Sequence, residues 1–345
     1  MNEIRYAAPS LRPLMRYFGA TGDQEAFYWA VNRALHAVEA EDYDMRHASM
    51  FQEERRVWRR LAGYLPAAPD KLNLLDVGCG TGLVGAFLAE ICPERIGQMT
   101  CLDPSPAMLD RTRERSADWP FQAVFRTGDV ESLPDGVQFD GVTINSVLHH
   151  ILYLEPFLRR VETLVRPGGV VLTAQDPRSA VELRRDAVYR SRRLKRPPQW
   201  YQPIGLLRHW VRHTASGWRT SRFVRRILNR ELPQSVLAVR ASETLLKEGV
   251  VQRAMDQDSL YAVADVHVPL HPLKRAGGID PAVLDRYMPG CRLMTRFSYC
   301  YRGAEYASLD AEQRADEKRW FEEHDPHGAT LAMVFEKTRD VGEAW

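Results

Sequence analysis

The sequence has few cysteines, and none of them shows the paired spacing of a zinc site or a disulfide framework. Five cysteines occur among 345 residues, at positions 79, 92, 101, 291 and 300, and no two form a Cys-x-x-Cys pair. Zinc sites typically use such pairs, and disulfide frameworks use an even number of cysteines. We therefore expect no metal ligand set, and we interpret Cys79 and Cys101 as small buried side chains.

Long apolar runs are also absent. The opening residues, MNEIR, begin no apolar segment, and no stretch approaches the roughly 20 apolar residues of a membrane-spanning helix. We expect no signal peptide, no membrane span and a cytoplasmic location. With 45% hydrophobic and 27% charged residues, the composition is that of an ordinary globular protein. The length suits one large domain with insertions, or two smaller domains.

A glycine-rich turn lies at Leu74–Gly82, LLDVGCGTG, and it lacks two common phosphate-binding spacings. The dinucleotide pattern G-x-G-x-x-G needs a glycine where Leu83 stands, and the P-loop needs a Lys-Ser/Thr pair that is missing. Alternating Gly78, Gly80 and Gly82 permit positive φ angles and let a ligand lie against the backbone. The turn therefore fits a ligand without a pyrophosphate.

Strands and helices alternate from Leu72 onward. The apolar runs predict strands at 72–77, 99–102, 121–125, 139–144, 170–174, 293–301 and 330–335. A helix is expected at about 155–165, and a charged helix with Ser308 as its N-cap before the last strand. Repeated β-α-β units of this length imply a parallel sheet with helices on both faces.

Three chemically distinctive segments follow the first three strands. They are the glycine turn, Asp103, and Gly128-Asp129-Val130. The carboxyl ends of parallel strands face one crevice, so we expect these segments to meet there. Asp103 lies 21 residues after Gly82, the usual distance for an acid that binds a ribose diol. Asp129 is placed to reach an adenine amino group, and together these residues describe an adenosine site.

The order of these motifs resembles the class I S-adenosylmethionine-dependent methyltransferases, small-molecule type. The resemblance covers residues 72–177 and the two returning strands. It rests on five pieces in order, LLDVGCGTG, CLDPSPAML, TGDVESLP, FDGVTINSVLHHI and LVRPGGVVLTAQDP. It implies a doubly wound, seven-stranded, mostly parallel α/β sheet whose last strand is antiparallel. It also implies S-adenosylmethionine as cofactor and S-adenosylhomocysteine as product.

The resemblance further implies which residues hold the cofactor. Asp76 and the turn formed by Gly78, Cys79, Gly80 and Gly82 would bind the methionine part. Asp103, with Pro104 beside it, would bind the ribose, and Met108 the adenine face. Residues at the ends of the next two strands would complete the site. Asp129 and Val130 would bind the adenine edge, and Asn145 would lie near the sulfonium.

A base is needed only if the methyl acceptor must lose a proton, because a sulfonium methyl is already a good electrophile. His149, after the fourth strand, and Asp176, after the fifth, are the candidate catalytic residues, with structural hydrogen bonding as the alternative. His47, His267 and His271 are interpreted as surface or packing residues. Asn145-Ser146-Val147-Leu148 lacks the Pro-Pro-aromatic pattern of base amino-methyltransferases. We therefore expect a small-molecule acceptor, methylated on oxygen, carbon or nitrogen in that order.

A basic segment interrupts the alternation after Pro177. Residues 178–247 contain 17 Lys or Arg against four Asp or Glu, a net charge of +13 in a chain of net charge +2. Four interpretations remain open, namely a packed helix with a solvated arginine face, a site for an anionic substrate, a membrane-surface contact, and nucleic-acid binding. The apolar stripe Phe223, Val224, Ile227 and Leu228 makes part of it amphipathic, and Trp200, Trp210 and Trp218 are candidates to line an acceptor pocket.

The sequence therefore predicts three regions. Residues 1–70 form an N-terminal helical cap, residues 71–177 and 291–345 the cofactor-binding core, and residues 178–290 a large, mainly helical basic insertion between strands five and six that covers the acceptor site. The predicted function is methyl transfer to a lipophilic or anionic small molecule. The alternatives are an enzyme of the same fold that binds the cofactor without transferring methyl, such as a cyclase or decarboxylase, and an RNA- or membrane-surface-binding protein.

Overall fold

The structure, a computed structural model, describes residues 9–41, 43–67, 70–194, 236–268, 277–302 and 309–338. These residues fall into two compact units. The sheet unit contains the described residues of 39–177 and those from 279 onward, and the second unit contains those of 7–38 and 178–278. Residues 39–70, which the sequence analysis assigned to a separate cap, and residues 279–290 of the predicted insertion thus lie in the sheet unit.

The sheet unit is built on seven strands. They are β1 (Leu72–Val77), β2 (Ile96–Asp103), β3 (Gln122–Thr127), β4 (Phe139–Asn145), β5 (Val165–Pro177), β6 (Cys291–Tyr299) and β7 (Thr330–Lys337). Their order is β3-β2-β1-β4-β5-β7-β6. The first five strands pair in parallel, and β7 is antiparallel to both β5 and β6. The predicted seven-stranded, mostly parallel fold with an antiparallel last strand is confirmed.

Helices cover both faces of this sheet. They are α3 (Tyr43–Ala62), α4 (Leu83–Ile91), α5 (Pro106–Ser116), α6 (Leu154–Thr163), α11 (Pro281–Tyr287) and α12 (Ala311–Glu322). One apolar cluster joins the side chains of Leu74 and Leu172 to Trp58 of α3, and the other joins Leu75 and Val171 to α6 and α11. The alternation of side chains along each strand supplies one cluster per face, which gives the doubly wound architecture.

Several element boundaries differ from the predictions, among them those of β5 and of the last helix. β5 begins at Val165 and ends at Pro177, because pairing continues on both sides of the expected 170–174. The N-cap of α12 is Asp310, which forms a capping box with Gln313. Ser308, the predicted N-cap, lies outside the described residues. In the described part of the chain, no helix is both long and apolar enough to cross a membrane. The cytoplasmic location stays a prediction.

The regular elements described in the second unit are all helices. It contains α1 (Arg12–Phe18), nearly all of α2 (Gln24–Glu39), α7 (Ala180–Arg185), α8 (Ala187–Arg193), α9 (Val236–Lys247) and α10 (Gln257–Ala264). The N–H of Gln252 donates to the carbonyl of Phe18 at 2.8 Å, which joins the N-terminal helices to the inserted segment. The predicted mainly helical insertion agrees with these elements.

Candidate functional site

The glycine turn between β1 and α4 has the left-handed backbone expected for it. Gly78, Gly80 and Gly82 have φ angles of 63°, 54° and 78°. A Cβ at Gly78 would lie 2.6 Å from Val147, whereas a Cβ at Gly80 would meet no described atom within 4 Å. Gly80 therefore combines a backbone conformation that favours glycine with open space above it, the arrangement that lets a ligand approach the chain closely.

Asp76 is a buried carboxylic acid at the carboxyl end of β1. Its Oδ1 accepts a hydrogen bond from the hydroxyl of Thr143 at 2.6 Å, and its buried Oδ2 has no partner among the described residues. Burial raises the pKa of Asp76 to about 7, against the opposing effect of the Thr143 hydrogen bond. An unpaired buried carboxyl oxygen is costly, so its presence beside the glycine turn marks a place where a ligand donor fits.

Asp103 joins the ends of three strands. Its Oδ2 accepts from the N–H of Gly80 at 2.9 Å and its Oδ1 from the N–H of Ser105 at 2.8 Å. Its carbonyl accepts from the N–H of Gly128 at 3.1 Å. The glycine turn, the end of β2 and the end of β3 therefore meet, as the sequence analysis expected.

The predicted adenine-binding residues lie next to Asp103. Pro104 follows it directly, and Met108 is buried in the first turn of α5, where its N–H donates to Ser105 Oγ at 3.4 Å. Asp129 Oδ1 caps a 3₁₀ turn by accepting from the N–H groups of Glu131 and Ser132. Val130, the first residue of that turn, is buried. These side chains lie at the ends of neighbouring strands, and their contact with adenine stays a prediction.

Asn145, at the end of β4, is held by two residues of α3. Its Oδ1 accepts from Trp58 Nε1 at 3.0 Å, and its Nδ2 donates to Glu54 Oε2 at 3.4 Å. Burial raises the pKa of Glu54 to about 7, although the Asn145 hydrogen bond opposes the shift. Glu54 and Trp58 are not among the residues predicted from the sequence motifs. A signal existed, because Glu54 lies at helical spacing with Val57, Trp58 and Leu61 and therefore on the buried face of α3.

His149 and Asp176 are in direct contact. His149 Nδ1 lies 2.8 Å from Asp176 Oδ1, and the backbone N–H of His149 donates to the same oxygen at 3.1 Å. Asp176 is fully buried, and its Oδ2 has no partner among the described residues. His150 stacks beside His149 with ring centroids 4.0 Å apart. The two candidate catalytic residues thus form a pair at the carboxyl edge of the sheet.

Other residues considered in the sequence analysis lie elsewhere or outside the described chain. His267 is buried in the second unit. Arg178 of the basic segment is also buried and pairs with Glu182 and Asp186. All five cysteines are buried and free, as expected for Cys79 and Cys101. His271, the three tryptophans, the Phe223–Leu228 stripe and the side chain of His47 lie outside the described residues.

The comparisons with known proteins agree with this arrangement. A family model described as "Methyltransferase domain" matches residues 75–171, the segment from β1 into β5 that contains every residue of the site apart from those of α3 and Asp176. This region is a class I S-adenosylmethionine-dependent methyltransferase domain. The open glycine turn and the unpaired Asp76 oxygen fit a small ligand with a cationic amino acid end, and the cofactor prediction, S-adenosylmethionine, is confirmed for this domain.

Two curated relatives match 32% and 39% of this chain. The chain is 34% identical over 113 residues to a ubiquinone biosynthesis O-methyltransferase of Methylocella silvestris, covering 32% of this chain and 42% of that protein. It is 31% identical over 137 residues to a demethylmenaquinone methyltransferase of Desulfitobacterium hafniense, covering 39% and 54%. The chain thus spans about half the length of these curated relatives.

Among solved structures, the chain is similar to an S-adenosylmethionine-dependent methyltransferase of Mesorhizobium loti. The TM-score is 0.40 at 14% identity, with 81% of this chain and 96% of that chain covered. The assignment of the methyltransferase fold rests on the strand order and the family match rather than on this similarity.

Proposed function

We propose that the chain transfers a methyl group from S-adenosylmethionine to a hydroxyl oxygen of a small-molecule acceptor. The observation that carries this proposal is the 2.8 Å contact between His149 Nδ1 and Asp176 Oδ1. An amine acceptor with a free lone pair needs no base, whereas a hydroxyl acceptor becomes a strong nucleophile only when its proton is removed. The His149–Asp176 pair therefore favours oxygen over nitrogen as the acceptor atom.

Each member of the pair has one role in this proposal. A carboxylate only accepts hydrogen bonds, so the contact with Asp176 Oδ1 places the imidazole proton on Nδ1 and leaves a lone pair on Nε2. Nε2 of His149 then takes the acceptor's proton. Asp176 holds the ring in this tautomer and stabilises the imidazolium, since its own Oδ1 is fixed by the backbone N–H of His149.

The bound cofactor supplies an electrophilic methyl group on a sulfonium. We propose that the turn Gly78, Cys79, Gly80 and Gly82, together with Asp76, holds its amino acid end. Asp103 and Pro104 would hold the ribose, and Met108, Asp129 and Val130 the adenine. Asn145 would lie near the sulfonium, its amide oriented by Trp58 and Glu54. The meeting of the three strand ends around Asp103 supports this assignment.

The acceptor class is proposed from the same chemistry. One similar protein is named a ubiquinone biosynthesis O-methyltransferase and another a demethylmenaquinone methyltransferase, and the first of these names supports a hydroxyl acceptor. A role of the inserted segment in selecting a lipophilic or anionic acceptor stays part of the proposal. Whether the +13 segment contributes to acceptor selection is tested separately, by measuring which acceptors are methylated.

Two measurements test the proposal. Calorimetry with S-adenosylhomocysteine should show binding that Asp103→Ala abolishes and Asp140→Asn, at the opposite end of the sheet, preserves. Label transfer from methyl-tritiated S-adenosylmethionine to catechol, hydroquinone and an alkylphenol should then be lost in His149→Gln. Absence of cofactor binding overturns the family-based function, and turnover of substrate without S-adenosylhomocysteine formation favours the cyclase or decarboxylase alternative.

A further inference from the structure

Strand β5 carries a bulge next to Asp176. Its pairing with β7 runs from Thr173 opposite Met333 to Asp176 opposite Leu331, so β5 has one residue more than β7 over this interval. Asp176 thereby occupies the place that regular pairing would give to Gln175. Because successive side chains of a strand point to opposite faces, the extra residue changes the face to which Asp176 belongs.

The bulge depends on an uncommon backbone conformation at Gln175. Its φ angle is 63°, in the left-handed region that residues other than glycine rarely adopt. Such a conformation is strained and persists only where surrounding contacts hold it. Contacts with other residues must therefore stabilise the left-handed backbone of Gln175.

Tyr299, the last residue of β6, makes two hydrogen bonds to Gln175. The N–H of Gln175 donates to the Tyr299 hydroxyl oxygen at 2.6 Å, and that hydroxyl donates to Gln175 Oε1 at 2.9 Å. Tyr299 is completely buried, and burial raises the pKa of its hydroxyl well above the ordinary value. The hydroxyl therefore stays protonated at neutral pH and available as a donor to the side chain.

We propose that Tyr299 is a positioning residue for the His149–Asp176 pair. It fixes the left-handed backbone of Gln175, the bulge sets the face of Asp176, and Asp176 Oδ1 then meets both Nδ1 and the backbone N–H of His149. Tyr299 itself exchanges no proton in the reaction. This inference rests on the proposed function, because it concerns the same base.

Tyr299→Phe removes the hydroxyl, and Tyr301→Phe is its matched control. Tyr301 is also buried, two residues after the end of β6, but its hydroxyl donates to the carbonyl of Asp325 at 2.8 Å, with the carbonyl oxygen of Ser298 3.3 Å away. Two-bond ¹H–¹⁵N spectra of ¹⁵N-histidine protein, assigned by His149→Gln, report which ring nitrogen carries the proton. The wild type and Tyr301→Phe should show His149 with its proton on Nδ1. In Tyr299→Phe, the His149 proton should no longer be confined to Nδ1.

A rescue and a kinetic measurement separate positioning from general stability. Adding Gln175→Gly to Tyr299→Phe should restore the tautomer, because glycine adopts the positive φ without the hydroxyl's help. With an active phenol from the screen, Tyr299→Phe should lower kcat on the order of 10-fold, while the KM for S-adenosylmethionine changes less than twofold.

The outcomes distinguish this inference from the proposed function. If wild-type His149 carries its proton on Nε2, the proposed base fails. If the wild type shows the Nδ1 tautomer and Tyr299→Phe keeps it unchanged, the positioning role of Tyr299 is refuted and the base stands. Equal losses in Tyr299→Phe and Tyr301→Phe would assign the effect to the stability of β6 and likewise refute it.

Discussion

The backbone N–H of Gly80 donates to Oδ2 of Asp103 at 2.9 Å, which closes the glycine turn onto the end of the neighbouring strand. This contact fixes the turn before any ligand binds. Preorganisation of this kind lowers the entropic cost of ordering the loop on binding. It also gives the open space above Gly80, where we propose that the cofactor binds, a defined shape.

We predict that Gly80→Ala abolishes cofactor binding at little cost in stability. The new Cβ would point into open space, and the left-handed backbone should cost about 1–2 kcal/mol. Gly136→Ala is the matched control, since Gly136 has a φ of 81° and equally open surroundings on another loop. Calorimetry with S-adenosylhomocysteine and urea unfolding check both variants. Equal binding by the two variants would contradict the cofactor position.

We predict that His149→Gln lowers the rate of methyl transfer about 10²- to 10⁴-fold, the usual contribution of a general base. Affinity for S-adenosylhomocysteine should change less than twofold. His327→Gln is the control, because His327 Nδ1 lies 2.8 Å from Asp325 Oδ1 and its backbone N–H binds the same oxygen at 2.9 Å. Single-turnover label transfer with the best phenol measures both. A comparable loss of the methyl-transfer rate in His327→Gln would show that His149 has no special role in the reaction.

Much of the sheet could be predicted because its strands are short apolar runs. The predicted and observed bounds agree for β1 and differ by one or two residues for β4 and β7. β5 extends three residues further than its apolar run, through Gln175, Asp176 and Pro177. Those residues are polar or lack an N–H, and Asp176 and Pro177 pair with β7, which lies far along the chain. Local periodicity does not contain that information.

The site divides in the same way. Residues carried by motifs, such as Asp76, Asp103 and Asp129, could be predicted because each lies near or just after the end of a predicted strand. Glu54 and Trp58 belong to no motif, and their contact with Asn145 depends on where α3 packs. The direct contact of His149 with Asp176 depends on the bulge at Gln175. Pattern analysis brought both residues to one edge of the sheet but could not give the geometry between them.

We predict that the stability of the protein falls between pH 5 and pH 8, partly because of Glu54. Burial raises the pKa of Glu54 from 4.5 to about 7, so in this window the folded state holds a proton that the unfolded chain has lost. The free energy of unfolding should therefore fall as the pH rises toward 7 and level off above it. The contribution is about 2–3 kcal/mol.

Urea unfolding at pH 5 and pH 8 measures this effect. Glu54→Gln should reduce the loss of stability between these two pH values. The loss that Asp76 causes should remain, because burial raises the pKa of Asp76 to about 7 as well. Glu90→Gln, at a half-exposed carboxylate paired with Arg55, should leave the pH dependence unchanged. An unaltered pH dependence in Glu54→Gln would show that this carboxyl is ionised in the folded protein.

We predict that Arg115→Ala speeds the dissociation of S-adenosylhomocysteine about two- to fivefold. Arg115 pairs with Asp44 at the start of α3 and donates to Thr81 Oγ1 at 3.2 Å, while Thr81 Oγ1 donates to Asp44 Oδ1 at 2.8 Å. The three side chains tie α3 to the glycine turn. A partly exposed ion pair contributes at most about 1 kcal/mol, which limits the change in rate.

Stopped-flow displacement of S-adenosylhomocysteine measures this rate. Arg113→Ala is the control, because Arg113 lies on the same helix but pairs with Asp110 at the surface of α5. Added salt screens exposed charges, so it should speed dissociation from the wild type more than from Arg115→Ala. If both variants release the ligand at the wild-type rate, the tie between α3 and the glycine turn does not limit cofactor exchange, and residues outside it must set that rate.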